Sequence, residues 1–226
     1  MLRRFMLTLV AALTLSAAAN AQEGFKDIFN GKDLTGWKGD AHRWSVKDGA
    51  ITGTTTNENK LTYNTFLVWE GEVADFELEC DYKITGGNSG IQYRSKLFDA
   101  DKFIVGGYQA DLDFSLQYAG INYEERGKRG IMAQRGTRTS YSESGEKKEE
   151  RFAEDADLKK LFKNGDWNHY RVVAKGHTLS HYINGTLMSE TIDNDKEQFK
   201  AKGILALQIH VGPPMVVQFK NIKLKQ

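Results

Sequence analysis

Apolar and charged side chains alternate strictly between residues 76 and 84. Phe76, Leu78, Cys80, Tyr82 and Ile84 are apolar, and every residue between them is charged. Because successive side chains of a β-strand point to opposite faces of a sheet, this period of two predicts a half-buried strand. Residues 91–94, 108–113 and 205–210 alternate in the same way, and residues 170–175, 179–183 and 217–224 are also predicted strands.

Turn and helix signals complete the predicted secondary structure. Asn184-Gly185 separates two predicted strands and is typical of a two-residue hairpin, which joins antiparallel strands. Helical spacing occurs only from Ala153 to Lys163, before Gly165, and predicts one short helix. Residues 127–150 are polar without either period, so we expect a long loop there.

Many short antiparallel strands and a single helix together predict the fold class. Each sheet must bury one face, and two sheets can bury these faces against each other. We therefore expect an all-β protein, a jelly-roll sandwich of two antiparallel sheets with one short helix.

The first residues resemble an export signal. Arg3 and Arg4 precede an apolar run from Phe5 to Leu15, and Ala19-Asn20-Ala21 ends the segment with small residues. The run is shorter than the roughly 20 apolar residues that a membrane-spanning helix needs. We expect residues 1–21 to be removed and residues 22–226 to form a single β-sandwich domain in the periplasm or outside the cell, without a membrane segment.

Charge and motif content exclude several classes of function. The chain has 31 Lys and Arg against 30 Asp and Glu, so no basic surplus points to nucleic acid or anionic lipid. Cys80 is the only cysteine, so no intrachain disulfide can form even in an oxidising compartment. The sequence lacks dinucleotide, phosphate-loop, zinc-protease and serine-nucleophile motifs.

Polar side chains share a face on two predicted strands that are distant in sequence. Gln109 and Asp111 lie on one face of the first strand, and Gln208 and His210 lie on one face of the second. Arg94, on a third predicted strand, can face the same way. Solvent-facing positions would give this pattern too, and a lone histidine is more often structural than catalytic.

Several motifs in order along the chain resemble the 3-keto-disaccharide hydrolase family, also described as 3-keto-glucoside 1,2-lyase and 3-keto-2-hydroxy-glucal hydratase. They are Phe29-Asn30-Gly31-Lys32-Asp33-Leu34-Thr35-Gly36-Trp37, Asn88-Ser89-Gly90-Ile91, Gly107-Tyr108-Gln109-Ala110-Asp111, Gly165-Asp166-Trp167-Asn168, Leu207-Gln208-Ile209-His210 and Phe219-Lys220-Asn221-Ile222. The resemblance implies a fold like that of concanavalin A-like lectins and glucanases. One position departs from the family, because many members have a glutamate where this chain has Gly107.

The resemblance implies cleavage of 3-keto-glycosides by elimination across C1 and C2 of the sugar, followed by hydration. A ketone at C3 acidifies the hydrogen on C2, so a site needs a base, a donor to the enolate oxygen and an acid at the leaving oxygen. We expect Asp111 and His210 to transfer protons. The expected substrate-binding residues are Asn88, Arg94, Gln109, Tyr123, Glu124 and Gln208.

No cofactor is certain, but a divalent metal ion shared by His210 and an acid such as Asp111 or Glu124 would polarise the ketone. No ligand spacing in the sequence specifies such a site. The residues around Glu124, from Tyr123 to Arg126, are expected in a loop that either caps the sugar pocket or forms a solvated turn.

Two other functions fit the predicted fold. A noncatalytic, lectin-like carbohydrate-binding module uses the same scaffold. An endo-glucanase would place two carboxylates about 5 Å apart along one strand, and Glu77, Glu79 and Asp81 alternate in this manner. The fuller acid motif of those glucanases is missing, so a solvated outer face is the preferred interpretation of these three.

Overall fold

The computed structural model describes residues 24–226, so the expected leader lies outside the described residues. Its strands are β1 (Lys26–Asp27), β2 (Trp37–Lys38), β3 (Trp44–Lys47), β4 (Ala50–Thr55), β5 (Thr65–Val73), β6 (Phe76–Thr85), β7 (Asn88–Asp99), β8 (Ile104–Asp113), β9 (Asn122–Glu125), β10 (Gly130–Ala133), β11 (Thr137–Tyr141), β12 (Lys147–Arg151), β13 (Asn168–Lys175), β14 (Thr178–Ile183), β15 (Thr186–Asp193), β16 (Gly203–Ile209) and β17 (Met215–Lys225). Helix α1 spans Asp155–Lys159.

The strands form two sheets. The ten-stranded sheet has the order β12-β11-β15-β14-β13-β6-β17-β4-β3, and β1 pairs with β17. The seven-stranded sheet has the order β10-β9-β8-β7-β16-β5-β2. All pairs are antiparallel except β11 and β15, which are parallel. The predicted all-β sandwich is therefore confirmed, with one parallel pair in the larger sheet.

The core lies where the inner faces of the two sheets meet. From the larger sheet, the apolar face of β6 contributes Phe76, Leu78, Cys80, Tyr82 and Ile84, all of them buried. The smaller sheet contributes alternate residues of its central strands, among them Ile91, Tyr93, Tyr108, Ala110, Leu112, Leu207 and Ile209. Because successive side chains of a strand point to opposite faces of the sheet, the residues between these point to the other face of the smaller sheet.

The loop expected at residues 127–150 is wrong, because β10, β11 and most of β12 lie in it. Strands β11 and β12 show no alternation of apolar and polar residues. On β11 the buried positions are Thr137, Thr139 and Tyr141. Strand β12 is exposed along its whole length, Lys147–Arg151, at the edge of the larger sheet. Charged edge strands oppose pairing with other chains, and they carry no hydrophobic period.

The expected helix exists but is shorter than the predicted 153–163. Helix α1 covers Asp155–Lys159, and beyond it the chain continues in turns in which the amides of Leu161 and Phe162 donate to carbonyls three residues earlier. Leu158 is buried, whereas Leu161 is 41% exposed. Only part of the predicted apolar face packs against the core, so tertiary contacts support little more than one helical turn.

The expected loop at Tyr123–Arg126 is also wrong over most of its length. Residues Asn122–Glu125 form β9, which pairs with β8 and β10. Four residues are too few to show a convincing period, and the alternating positions here are all polar.

No helix within residues 24–226 is both long enough and apolar enough to cross a membrane.

Candidate functional site

Strand parity places polar groups on the outer face of the smaller sheet. On β8, Tyr108, Ala110 and Leu112 enter the core, so Gln109 and Asp111 point away from it. On β16, Leu207 and Ile209 enter the core, so Gln208 points the other way, and His210 follows directly after the strand. Strand β7 lies between β8 and β16. The two polar pairs are thus brought to the same face.

A pocket of about 420 Å³ opens on this face. We call it the central pocket. Its lining is mostly polar and consists of Asn64, Asn88, Gln109, Asp111, Asp113, Tyr118, Ile121, Tyr123, Glu125, Ile131 and His210. Five of the expected site residues, Asn88, Gln109, Asp111, Tyr123 and His210, therefore line a single pocket.

Gly90 allows Gln109 to reach across a neighbouring strand. Gly90 belongs to β7 and pairs with Asp111 of β8. A β-carbon at Gly90 would lie 2.5 Å from Cγ and Cδ of Gln109, so this side chain occupies the space above the glycine. Its Nε2 atom thereby comes within 3.4 Å of Oε1 of Gln208 on β16. A larger residue at position 90 would block the path by which the Gln109 side chain reaches Gln208.

A directional network of side-chain amides lies beneath the pocket. Ser95 donates to Oε1 of Gln92 at 2.6 Å, and Gln92 donates to Oε1 of Gln109 at 2.6 Å. Gln109 then donates to Oδ1 of Asp111 at 2.6 Å as well as to Gln208. Gln92 and Gln208 are fully buried. Gln92 and Gln109 each accept a hydrogen bond through Oε1 and donate one through Nε2. The orientation of the Gln109 amide is therefore fixed.

Asp111 is held in an environment that favours its protonated form. The residue is only 5% exposed. Burial raises its pKa well above the usual value, and the carboxylates of Glu125 and Asp113 act in the same direction, although the hydrogen bond from Gln109 opposes them. Because Gln109 donates to Oδ1, the proton belongs on Oδ2. Asp111 is thus suited to donate a proton.

Asn64 connects Glu125 to the backbone of Val211, the residue that follows His210. The amide of Asn64 donates to Oε1 of Glu125 at 3.2 Å and accepts from the backbone N–H of Val211 at 2.9 Å. Gln208 donates to the other oxygen of Glu125 at 3.4 Å. Nδ1 of His210 bonds the carbonyl of Val211. A carbonyl only accepts, so Nδ1 carries hydrogen and Nε2 of the neutral ring is left as a proton acceptor.

Two further groups shape the pocket. Asp113 accepts from Ser115 and from the backbone N–H groups of Gln117 and Tyr118, and it therefore orders the turn that follows β8. The pKa of Tyr123 is raised, first by burial and then by Glu125 and Asp111. Its hydroxyl remains a hydrogen-bond donor as a result.

Arg94 does not line the central pocket, contrary to the expectation that it shares a face with Gln109. The pairing of β7 with β8 shifts between Tyr93 and Lys96, and Arg94 has a φ of 47°. This bulge turns the side chain away. Its guanidinium donates to the carbonyls of Ala74 and Gly176 and pairs with Asp75 at 2.9 Å.

Glu124 also points away from the central pocket. It is buried, and it pairs with Arg129 at 2.8 Å and with Lys200. These cations lower the pKa of Glu124 to about 2 despite its burial. Glu124 therefore cannot share a metal ion with His210, because the alternation of side chains along β9 puts Glu124 on the face opposite to the central pocket. Within residues 24–226, no group of three His, Cys, Asp or Glu side chains is arranged to hold a metal ion.

The carboxylates of β6 lie far from this chemistry, on the outer face of the larger sheet. Glu77 accepts from Arg171 at 2.6 Å, and Asp81 contacts His169 at 3.1 Å and accepts from Asn221 at 2.6 Å. Glu79 lies 3.7 Å from Arg171. These cross-strand pairs account for the three carboxylates without a glucanase site.

Sequence reasoning missed several pocket residues. Glu125 lies on the same face of β9 as Tyr123, and Asp113 lies on the same face of β8 as Asp111. Because side chains alternate along a strand, correct bounds for β9 and β8 would have identified both residues. Asn64 precedes β5 in a polar segment and Tyr118 follows β8 in a turn. Neither has a sequence signal that connects it to the site.

Comparison with known proteins agrees with the fold and the motifs. Over 79 aligned residues, the chain is 34% identical to a 3-keto-disaccharide hydrolase of Bacteroides thetaiotaomicron, and this alignment covers 31% of this chain and 27% of that protein. The chain matches less than a third of the length of this relative.

Two solved structures show the same fold at low sequence identity. A proposed glycosyl hydrolase from Parabacteroides distasonis has a TM-score of 0.60 and 19% identity, covering 89% of this chain and 98% of that one. The carbohydrate-binding module CBM66 from Bacillus subtilis has a TM-score of 0.55 and 16% identity, covering 86% and 98%.

A family model for the 3-keto-alpha-glucoside-1,2-lyase-like domain matches residues 24–225, which is nearly all of the described chain. This match confirms the resemblance seen in the motifs. The chain belongs to the family of 3-keto-alpha-glucoside-1,2-lyase-like domains.

Proposed function

We propose that this protein cleaves 3-keto-glycosides, including 3-keto-disaccharides, by elimination across C1 and C2 followed by hydration. The observation that carries the proposal is a single pocket lined by Asp111, whose protonated form is favoured, and by His210, whose Nε2 is available as a base. Family membership supports carbohydrate processing. Elimination followed by hydration is what the family resemblance implies, and the assignment of residues to these steps is our own inference from the chemistry of the site.

In the elimination step, Nε2 of His210 removes the proton from C2, which the C3 ketone has acidified. The electron pair forms the C1–C2 double bond through the enolate, and the glycosidic oxygen leaves C1 with the proton of Asp111. The hydroxyl of Tyr123 is the proposed donor to the enolate oxygen. The products are the free aglycone and a 3-keto-2-hydroxy-glucal.

Hydration reverses the roles of the two proton carriers. The Asp111 carboxylate takes a proton from water as the water oxygen attacks C1, and the His210 imidazolium returns a proton to C2. Both groups regain their starting states, so the net reaction is hydrolysis. Gln109 and Asn88 are proposed to hold sugar hydroxyls, with Gln208 fixing Gln109 from beneath.

The test is incubation of the purified protein with 3-keto-cellobiose in deuterated water. Elimination and hydration predict glucose release, deuterium at C2 of the released 3-keto-sugar, and no cleavage of cellobiose itself, which lacks the acidified hydrogen. His210→Gln and Asp111→Asn should each reduce turnover at least 100-fold. Release without deuterium at C2, or unchanged turnover in both variants, would contradict the mechanism.

A noncatalytic carbohydrate-binding module is the rival function, and the fold shared with CBM66 is the observation that favours it. Saturable binding of the 3-keto-disaccharide without any turnover would support the module.

We also propose that the protein is exported. Edman sequencing of protein from a cell fractionation should give an N-terminus at Gln22 in the periplasmic or extracellular fraction.

A further inference from the structure

Three apolar side chains form one side of the central pocket. They are Tyr118, Ile121 and Ile131, and we call them the apolar wall. Ile131 on β10 pairs with Tyr123 on β9, and Ile121 precedes Tyr123 by two residues, so both isoleucines lie on the same face as Tyr123. Tyr118 belongs to the turn before β9, where its carbonyl accepts from the backbone N–H of Ile121 at 3.1 Å.

Asp111 lies beside this wall. Its backbone N–H donates to the carbonyl of Ile121 at 3.3 Å. His210 lies in the opposite direction, because β7 and then β16 follow β8 in the sheet, whereas β9 and β10 are on the other side of β8. Toward His210 the pocket is lined by the amide side chains of Asn64 and Asn88. The pocket is therefore apolar beside the proposed acid and polar beside the proposed base.

The Tyr118 ring is held at the pocket with a free face. The backbone N–H of Tyr118 donates to Asp113 at 3.0 Å, and Nε2 of Gln117 donates to its hydroxyl at 2.9 Å. The residue is nevertheless 39% exposed. Among residues 24–226, no second aromatic ring stacks on it and no Lys or Arg lies over it. The ring face is therefore available to a ligand.

The carboxylate at this end of the pocket is already occupied by its own turn. Asp113 accepts from the backbone N–H of Ser115 at 3.2 Å and from its hydroxyl at 2.7 Å. It also accepts from the backbone N–H groups of Gln117 at 2.8 Å and Tyr118 at 3.0 Å. These bonds use the roughly four acceptor positions of a carboxylate. Asp113 has none left for the hydroxyls of a sugar.

The polar groups of β9 are directed to other partners. Tyr123 provides its hydroxyl to the enolate oxygen in the proposed reaction. Glu125 lies two residues farther from Ile121 along the strand, and it accepts from Asn64 and Gln208. The apolar wall thus offers contact to carbon surfaces, whereas a sugar bound there would find few partners for its hydroxyls.

We infer that the apolar wall binds an aromatic leaving group, so that 3-keto-glycosides with an aromatic aglycone are the preferred substrates. The inference rests on the proposed function, in which the leaving oxygen takes the proton of Asp111. The group on that oxygen then extends from Asp111 toward Ile121, and its ring stacks on Tyr118.

The proposed elimination serves such a substrate without any additional reactant. The bond between C1 and the phenolic oxygen breaks as the C1–C2 double bond forms, and the oxygen leaves with the proton of Asp111. The first product is a free phenol. Hydration of the remaining 3-keto-2-hydroxy-glucal then returns the proton to Asp111 as described above.

Calorimetric binding of unoxidised glucosides tests the inference without turnover, because they lack the acidified hydrogen. The ligands are phenyl glucoside, methyl glucoside and glucosyl-glucose, each as the α and the β anomer. For the anomer that binds more tightly, we expect phenyl glucoside to exceed both other ligands in affinity by about 10-fold, since only its aglycone buries an aromatic ring.

Three variants assign the preference to the Tyr118 ring. Tyr118→Ala should reduce it to about 3-fold or less, because the stacking contact is lost. Tyr118→Phe retains the ring and should preserve the preference. Phe152→Ala is the matched control, since Phe152 is 40% exposed and follows β12 at the edge of the larger sheet, outside the central pocket. It should leave all affinities unchanged.

Equal affinities, tighter binding of glucosyl-glucose, no measurable binding of any ligand, or an unchanged preference in Tyr118→Ala would each overturn the inference. Turnover of 3-keto-cellobiose by the wild-type protein separates this failure from failure of the proposed function. Cleavage of 3-keto-cellobiose without an aromatic preference would refute the aromatic site alone. A preference for phenyl glucoside that depends on Tyr118, without cleavage of any 3-keto-glucoside, would refute the proposed reaction alone.

Discussion

The side chain of Gln109 lies across the α-carbon of Gly90, so that a β-carbon there would come within 2.5 Å of its Cγ and Cδ atoms. This contact lets an amide from β8 pass over β7 and approach Gln208 on β16. The polar network under the pocket therefore depends on a residue that has no side chain of its own.

Gly90→Ala should remove this crossing. We expect a loss of about 1–3 kcal/mol in unfolding free energy, because the added methyl group overpacks a buried site, and at least a 10-fold loss of turnover. Denaturant unfolding and the 3-keto-cellobiose assay measure the two effects.

A double variant tests the cause of that loss. Gln109→Ala removes the three atoms nearest to the new methyl group, Cγ, Cδ and Nε2 of Gln109, so Gly90→Ala should cost little stability in a Gln109→Ala background. If the two losses simply add, the contact between Gly90 and Gln109 is not the reason for the glycine.

Asp111→Asn should stabilise the protein while abolishing turnover. The raised pKa of Asp111 means that its ionised form destabilises the folded state, so the stability that the protonated form provides is lost as pH rises through the folded-state pKa. Asparagine cannot ionise. The stability gain of the variant should therefore be smallest in acid and grow as pH rises above about 3.9, the pKa of an aspartate in the unfolded chain, as measured by urea unfolding at several pH values. A gain of the same size with the exposed Asp101→Asn control would contradict this explanation.

His181 should make folding sensitive to acid. It is fully buried, bonds the hydroxyl of Tyr93 at 2.9 Å, and has a pKa lowered from 6.5 to about 3, mainly by burial. The unfolded chain therefore binds a proton that the folded chain excludes. Stability should fall by up to about 1.4 kcal/mol per pH unit as pH drops below 6.5 toward 3.

His181→Gln keeps hydrogen-bonding groups but does not titrate, so it should flatten this pH dependence between pH 6.5 and 4. The exposed His42→Gln is the matched control and should keep the wild-type slope. Equal slopes in all three proteins would show that other groups cause the acid sensitivity.

Glu124 and Glu125 are adjacent in sequence but should behave differently when each is changed to glutamine. Glu124→Gln leaves Arg129 and Lys200 with a neutral partner in a buried network, and we expect a loss of about 3 kcal/mol in unfolding free energy. Glu125 faces the central pocket and accepts only from neutral amides. Glu125→Gln should change the unfolding free energy by less than about 1 kcal/mol and reduce turnover several-fold. The reverse outcome would mean that the faces of β9 are assigned wrongly.

The period of two was enough to predict the strands that build the core. On β6 and β8 the buried faces are apolar and the opposite faces are polar, so the hydrophobic effect selects one orientation and the sequence shows it directly. The same rule put Gln109 beside Asp111 and Gln208 beside His210, and the family motifs indicated the chemistry. Strands β11 and β12 escaped prediction because threonines and edge charges replace the apolar signal.

Tertiary structure decided which polar residues meet. A single bulge with φ of 47° at Arg94 turned an expected sugar ligand into a partner of Asp75. Because side chains alternate along the short strand β9, Glu125 lines the central pocket and Glu124 does not. Such outcomes depend on strand order, on register shifts and on side chains from distant segments such as Asn64. Local sequence determines the faces of each strand, because that preference is set by burial along one chain segment, whereas the partners across strands are set by the packing of the whole sheet.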